Sequence, residues 1–223
     1  MEEKKTLLIL RLEGALQSWG ENAKWDHRDT SIMPSKSGIV GLLGCALGVP
    51  RNSDELRKLS QDMNFAVRAD RPGVITTDFQ TIEGFPLMTA AGSPRPADKN
   101  TIISPRDYIN DGIFTVVIDV GEEWIDKLVA ALQSPKWCMY LGRKNCVPSR
   151  PVFECISDSY ASLLDAVQNY PPAMRAAEEM AYECEADNNT AAIFRPDELS
   201  GPNRQFDLRK VWRGTVSGGT ACT

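Results

Sequence analysis

The sequence predicts an α+β chain of ferredoxin-like pattern, interrupted by one long insertion. Two observations carry this. Segments of strand length and of helix length succeed one another as strand, helix, helix, strand, insertion, strand, helix, strand. With the insertion set aside, that order approximates β-α-β-β-α-β, an arrangement that RNA-recognition modules share with many other proteins. The composition agrees with a packed core, since 42% of the 223 residues are hydrophobic and 25% charged, ordinary values for a globular chain.

Residues 7–12, LLILRL, form a short and almost unbroken apolar run, as expected of a buried strand. PSKSGIVGLLGCALG (34–48) follows, with Ile39, Leu42, Leu43, Ala46 and Leu47 at helical spacing. Pro34 is expected in the first turn and Gly48 at the C-terminal stop. Gly38, Gly41 and Gly44 fall three apart, close to one stripe of this helix. Each Gly costs about 1 kcal/mol against Ala, so the stripe implies close approach by a packed strand or a ligand backbone. A second helix, capped by Ser53, runs to about Met63. Residues 64–71, NFAVRADR, alternate like a strand with one wet face.

From Pro72 to Arg106 the periodicity dissolves among Gly and Pro, leaving β-like pieces such as VITTDF. A stretch of that length without regular structure is usually functional. IFTVVIDV (113–120) then reads as a strand and EEWIDKLVAALQ (122–133) as an amphipathic helix. A strand near 151–156, a helix near 160–169 and a strand pair around 205–216 complete the chain. The expected organisation is a domain over 1–158 and a smaller, β-rich C-terminal extension over 159–223 packed on it.

The net charge of −5 is regional. Residues 1–153 balance 19 basic against 19 acidic side chains, residues 154–198 carry ten acids against Arg175 and Arg195 (−8), and residues 199–223 return +3. A basic surface elsewhere is compatible with this, because charges act over a Debye length of roughly 8–10 Å. The acidic segment is expected either to face a protein partner or to repel RNA.

No apolar run approaches the roughly 20 residues needed to span a bilayer. The run at 7–12 is too short for a signal sequence and carries Arg11. A cytoplasmic protein without membrane contact is expected. The six cysteines include no C-x-x-C pair, and the only histidine, His27, is distant from them in sequence. No metal, cofactor or disulfide framework is therefore expected. A phosphate-cradling P-loop motif is lacking, and a Ser-His-acid triad would have to recruit His27. His27 lies in KWDHRD, where an exposed loop histidine is the plainer reading and a general acid or base the sharper one.

Three segments combine cations with Gly or Pro and few acids: PSKSG around Lys36, YLGRKNCVPSRP (140–151), and NRQFDLRKVWR (203–213). Amides in such loops, with Arg or Lys beside them, suit phosphate contacts. Trp19, Trp25, Tyr108 and Tyr140 offer planes for unstacked bases. Taken singly, each residue is better explained by solvated charge or core packing; the three segments together put nucleic-acid binding level with that reading.

Six segments resemble, in order, the CasD family of type I-E Cascade, a RAMP-type group of CRISPR proteins. They are LILRLEGALQSWG (8–20), PSKSGIVGLLGCALG (34–48), FAVRAD (65–70), DFQTI (78–82), RDYINDGIFTV (106–116) and YLGRKNCVPSRPVF (140–153). The resemblance extends weakly to RQFDLRKVW and fades over 160–200. It implies a non-catalytic subunit of a CRISPR surveillance complex that caps the 5′ handle of crRNA, with a ferredoxin-like domain and a β-hairpin thumb over about 74–105. The implied partners are the crRNA handle, the Cascade backbone subunit and the large subunit, and target DNA only indirectly through the complex. The implied RNA-binding residues are Gln17, Trp19 and Arg28; Ser35, Lys36 and Ser37 at the N-terminus of the first helix; Arg106 and Tyr108 at the thumb base; and Tyr140, Gly142, Arg143, Lys144 and Arg150. Arg143 and Lys144 would neutralise phosphate, and Gly142 would let the backbone come close.

Some type I-C relatives cut precursor RNA through a Tyr, Lys and His grouping near the thumb base. This chain has Arg106-Asp107-Tyr108 there, with no histidine within 75 residues upstream. That departure argues against catalysis. The alternative from another class is a metal-independent endoribonuclease processing CRISPR repeat RNA, and a third reading treats 140–151 as a proline turn with solvated charge.

Overall fold

The computed structural model describes residues 5–21, 27–84, 86–89, 91–96, 101–185, 192–201 and 205–218. The first strand, β1 (Leu7–Glu13), is apolar at nearly every position because both of its faces are covered. Leu8, Leu10 and Leu12 face a layer formed by α1 (Lys36–Leu47), α2 (Asp54–Asp62) and α3 (Glu122–Gln133). Leu7 faces the opposite side, where Ala166 and Val167 of α4 (Leu163–Asn169) close a second, smaller core.

β1 pairs with β6 (Ile113–Val120) and β7 (Phe153–Ser157), and β6 pairs with β3 (Met63–Arg71). The sheet then continues through β8 (Glu179–Glu185), β10 (Gln205–Ser217) and β9 (Ile193–Gly201). Its seven strands lie in the order β7-β1-β6-β3-β8-β10-β9, antiparallel throughout. A second sheet of three strands has the order β2-β5-β4, built from β2 (Leu16–Gln17), β5 (Thr101–Asn110) and β4 (Val74–Glu83). The fold is thus mixed α/β and dominated by antiparallel sheets.

The register sets a polar row inside the smaller core. Arg11 lies opposite Thr115, and Thr115 opposite Arg68. Asp70 takes the Arg68 Nε–H at 2.7 Å on one oxygen. On the other it accepts from Arg11, from Thr115 Oγ1 at 3.0 Å and from the Ala173 amide at 2.7 Å. Arg68 Nη1 also donates to the carbonyls of Val167 and Tyr170, at 2.9 and 2.8 Å. Such a set costs desolvation, and its contribution is to fix which backbone lies over the sheet.

Three expectations from periodicity change. Pro34 precedes the helix rather than entering its first turn: Ser35 is the N-cap of α1 and accepts from the Gly38 amide at 3.3 Å. Side chains, not a strand, fill the space beside two glycines of the stripe. A Cβ on Gly38 would lie 2.8 Å from the Trp19 ring and one on Gly44 2.4 Å from Leu56, while Gly41 meets nothing within 4 Å. The expected strand pair at 205–216 is one strand of 13 residues, β10. Its partners β8 and β9 come from the acidic segment: Met180, Tyr182 and Cys184 of β8 alternate into the core, whereas β9 buries Arg195 and Asp197 where apolar residues would mark a strand. Gly48 does end α1, in the left-handed region at φ 72°.

The stretch 72–106 is more regular than its composition suggests. β4 and β5 pair without a break from Val74↔Asn110 to Glu83↔Thr101. Periodicity alone misses this hairpin because β4 is exposed along nearly its whole length, so no apolar alternation marks it; the family resemblance implied a hairpin over about 74–105. Among the described residues no helix is long and apolar enough to cross a membrane.

Candidate nucleic-acid interface

The loop 134–152 leads from α3 to β7 and is anchored from within. Leu141 and Cys146 are fully buried, and the Leu141 amide donates to the Cys146 carbonyl at 2.7 Å. The Ser18 amide donates to the Leu141 carbonyl at 3.1 Å, and that of Ser149 to Glu13 at 2.8 Å. Gly142 has φ +88°, and a Cβ there would stand 1.7 Å from the Ser18 carbonyl oxygen. Only glycine fits. The close approach it allows is to the chain's own backbone at Ser18, just after β2.

Arg143 is largely committed to the same scaffold. Its guanidinium carbon lies 4.8 Å from the centroid of the Tyr108 ring. Nη1 donates to the Asp107 carbonyl at 3.0 Å, and Nη2 to those of Arg28 and Asp29 at 2.8 and 3.1 Å. One planar fork therefore ties the loop, the base of the hairpin and the segment 27–29 together. Lys144, its neighbour, is exposed and forms no ion pair among the described residues.

Around this turn lies a cleft of about 530 Å³ whose walls carry Arg51, Gln80, Arg106, Tyr140, Lys144 and Asn145. Arg51 is exposed just after α1, and Arg106 is half-buried with Nε–H donating to Ser104 Oγ at 3.3 Å. Tyr108 is buried beneath the Arg143 guanidinium, and its hydroxyl accepts from Asn145 Nδ2 at 2.9 Å and from Gln80 Nε2 at 3.3 Å. Arg28 is exposed and bridges in parallel to Arg106 through the backbone.

Beside the hairpin base, on the β4–β5 face away from Arg106 by strand alternation, His27 Nε2 stands 2.9 Å from Asp107 Oδ2. Thr77 Oγ1 donates to Asp107 Oδ1 at 2.7 Å. Burial alone would raise the Asp107 carboxyl, but the hydrogen bonds from His27 and Thr77, with the nearby His27 and Arg143, hold it below the ordinary Asp range. Distance along the sequence had separated His27 from the Arg106–Tyr108 stretch; the fold joins them.

The structure therefore gathers Arg28, Arg106, Tyr108, Tyr140, Gly142, Arg143 and Lys144 at one place. It seats the other expected residues differently. Gln17 is fully buried, donating Nε2 to the carbonyl of Gly112 at 2.8 Å and accepting from Trp19 Nε1 at 3.2 Å. Trp19 is itself buried against Gly38. At the start of α1 the Lys36 amide donates to Asp197 Oδ2 at 2.8 Å, so the anion at this helix N-terminus is a carboxylate of β9. Lys36 is buried and paired with Glu185 and Glu198, Ser35 is the cap, and Ser37 Oγ lies 3.4 Å from Ser35 Oγ. Arg150 pairs with Glu154 at 2.6 Å.

In the third basic segment Arg209 holds Asp197 through two bonds of 2.8 Å and Arg213 holds Glu183, leaving Lys210 exposed. Trp25 and Arg204 lie outside the described residues. Two of the three basic segments thus serve mainly to neutralise the acidic one. Arg51, Gln80 and Asn145 escaped sequence reading because nothing local distinguishes them; strand register and the end of α1 bring them to the cleft.

Cations with an exposed tyrosine edge and polar amides can hold phosphate and rest a base. Residues 7–220 match the family model described as CRISPR-associated protein (Cas_Cas5). Over 184 residues the chain is 34% identical to the CRISPR system Cascade subunit CasD of Escherichia coli (strain K12), covering 75% of this chain and 78% of that one. A solved CRISPR RNA-guided surveillance complex contains a chain 31% identical, with TM-score 0.76, over 95% of this chain and 90% of that one. A crystal structure of a Cas protein matches at 30% identity and TM-score 0.73, over 95% of both. The fold thus sits within a group of CRISPR-associated proteins. The chain belongs to the Cas5 family.

Proposed function

We propose that this protein is a non-catalytic, cytoplasmic subunit of a CRISPR surveillance complex of the Cascade type, where it grips the 5′ handle of crRNA. The observation that carries the reading is the cleft. In a chain of net charge −5, Arg51, Arg106 and Lys144 converge with Tyr140 at the base of a hairpin, while most other cations of the predicted segments are spent on carboxylates. The strand order β7-β1-β6-β3 supports a ferredoxin-like core within 1–158, and the β4–β5 hairpin supports a thumb. β8, β10 and β9 then form the extension of 159–223. The backbone and large subunits of the complex are the proposed protein partners.

The phosphate grip belongs to Lys144, Arg51 and Arg106, with Arg143 holding the loop that presents them. In the assembled complex, Lys144→Glu combined with Arg51→Glu should abolish co-purification of guide RNA with this subunit while its melting temperature stays within a few degrees of wild type. Unchanged RNA content would overturn the proposal. The second reading, a metal-independent endoribonuclease, is favoured by the contact between His27 and Asp107. Cleavage of repeat RNA by the pure chain in EDTA, lost in His27→Ala, would establish it instead.

A further inference from the structure

We propose that Cys45 and Cys138 form a modification site: under oxidising conditions they join in a reversible disulfide that staples the lead-in of the cleft loop to α1. The bond goes beyond the assignment of the cleft to RNA and does not depend on it.

The two cysteines lie 93 residues apart in sequence and meet in the fold. Cys45 is half-buried in the last turn of α1, and Cys138 is exposed in the segment after α3. The Cys45 thiol donates to the Cys138 carbonyl at 3.2 Å. Beside them the Lys136 amide donates to the Ala46 carbonyl at 2.9 Å, and the Lys136 side chain lies over Gly48. These contacts already set the two backbones against each other. Bonding then needs rotation of the exposed Cys138 side chain and no refolding of the chain.

Burial raises the Cys45 thiol above the ordinary cysteine value, and the neighbouring Cys138 raises it further. The first thiolate is therefore that of the exposed Cys138. Its sulfur attacks a low-molecular-weight disulfide of the glutathione class, breaking that S–S bond, expelling one small thiol and leaving a mixed disulfide on Cys138. The Cys45 sulfur then attacks the Cys138 sulfur and expels the second small thiol. One S–S bond breaks and one forms, the two cysteine protons pass through solvent to the released thiols, and the cysteines give up two electrons to the small disulfide. Cys146 and Cys184 are buried away from such an oxidant, and Cys155 lies half-buried against the Tyr170 hydroxyl at 3.5 Å. The stapled segment leads directly to Tyr140, Lys144 and Asn145, and α1 leads to Arg51, all on the walls of the cleft. A bond made and broken by exchange suits sensing in a reducing compartment rather than construction.

The test is to incubate the full chain with oxidised glutathione at mildly alkaline pH, alkylate the remaining thiols, unfold it in urea and digest it with trypsin without reductant. Mass spectrometry should find peptide 37–51 joined to peptide 137–143, each of which carries one cysteine, and dithiothreitol should separate them. The oxidised chain should melt roughly 5–15 °C above the reduced one, because the bond closes a long loop in the unfolded state. Cys45→Ser and Cys138→Ser should each melt like reduced wild type, with or without oxidant. Glutathione left on Cys138 of wild type, or peptide 137–143 joined to a different cysteine peptide, overturns the proposal. So does a linked pair that melts no higher than the reduced chain. RNA enters none of these measurements, so their failure leaves the reading of the cleft standing.

Discussion

Arg143 and Lys144 are neighbours in sequence with different work. Arg143 donates to three carbonyls from two parts of the chain and caps the Tyr108 ring, whereas Lys144 projects into solvent. A charged donor lost from such a cluster costs about 2 kcal/mol, which in a chain of this size lowers the melting temperature by roughly 4–8 °C. Arg143→Ala should show that loss in thermal unfolding. Arg143→Lys should recover little, because one ammonium cannot reproduce the planar fork. Lys144→Ala should stay within about 0.5 kcal/mol of wild type; equal melting of the Arg143 and Lys144 variants would refute the division. Composition cannot separate two adjacent cations, since both are basic residues in a Gly- and Pro-rich stretch. What separates them is the left-handed turn at Gly142, which aims one side chain inward and the next outward.

At the scale of elements, the start of α1 and the strands β8, β9 and β10 share one ion cluster. Lys36, Arg195, Arg209 and Arg213 meet Glu21, Glu183, Glu185, Asp197 and Glu198 there. Acids therefore exceed bases by one, and Glu185 is the member at a disadvantage. Burial raises its carboxyl above the ordinary Glu range, more than Lys36 and Arg209 lower it, and Glu198 raises it further. A carboxyl whose folded pKa is raised weakens the fold above that pKa and stops doing so once protonated. Glu185→Gln should therefore raise stability at neutral pH, and the gain should shrink as pH falls through the raised Glu185 pKa. Urea unfolding at pH 7 and near pH 4 checks this, and a gain independent of pH would contradict it. α1, α3, β1 and β6 were legible because each buries one stripe or a continuous run. The β4–β5 hairpin was legible only through the family resemblance, and the strands β8 and β9 were not. β4 leaves both of its faces wet, and the acidic strands turn charges inward toward partners far away in sequence.

At the scale of the whole molecule, the regional charges of the sequence are the two halves of one bond. The acidic residues of 154–198 close on Arg209 and Arg213 that follow them, and on Lys36 from the first helix. The sheet crosses the expected boundary at residue 158 without interruption, since Ala66, Val67 and Arg68 of β3 pair directly with Cys184, Glu183 and Tyr182 of β8. A fragment of residues 1–158 would therefore lose more than an appendage. β3 would become an unprotected edge strand nine residues long. Lys36 would keep its charge without Glu185 or Glu198, and the α1 N-terminus would lose Asp197. Arg68 would lose the carbonyls of Val167 and Tyr170, and Asp70 the amide of Ala173. Breaking even one buried pair by removing a partner costs about 3–5 kcal/mol, against a total stability of about 5–15 kcal/mol for a typical domain. The fragment should be recovered unfolded or aggregated, with no cooperative transition in circular dichroism, while the full chain melts in a single step. Cooperative unfolding of the fragment alone would mean that 1–158 is a self-sufficient domain and that the ion cluster only docks the extension onto it.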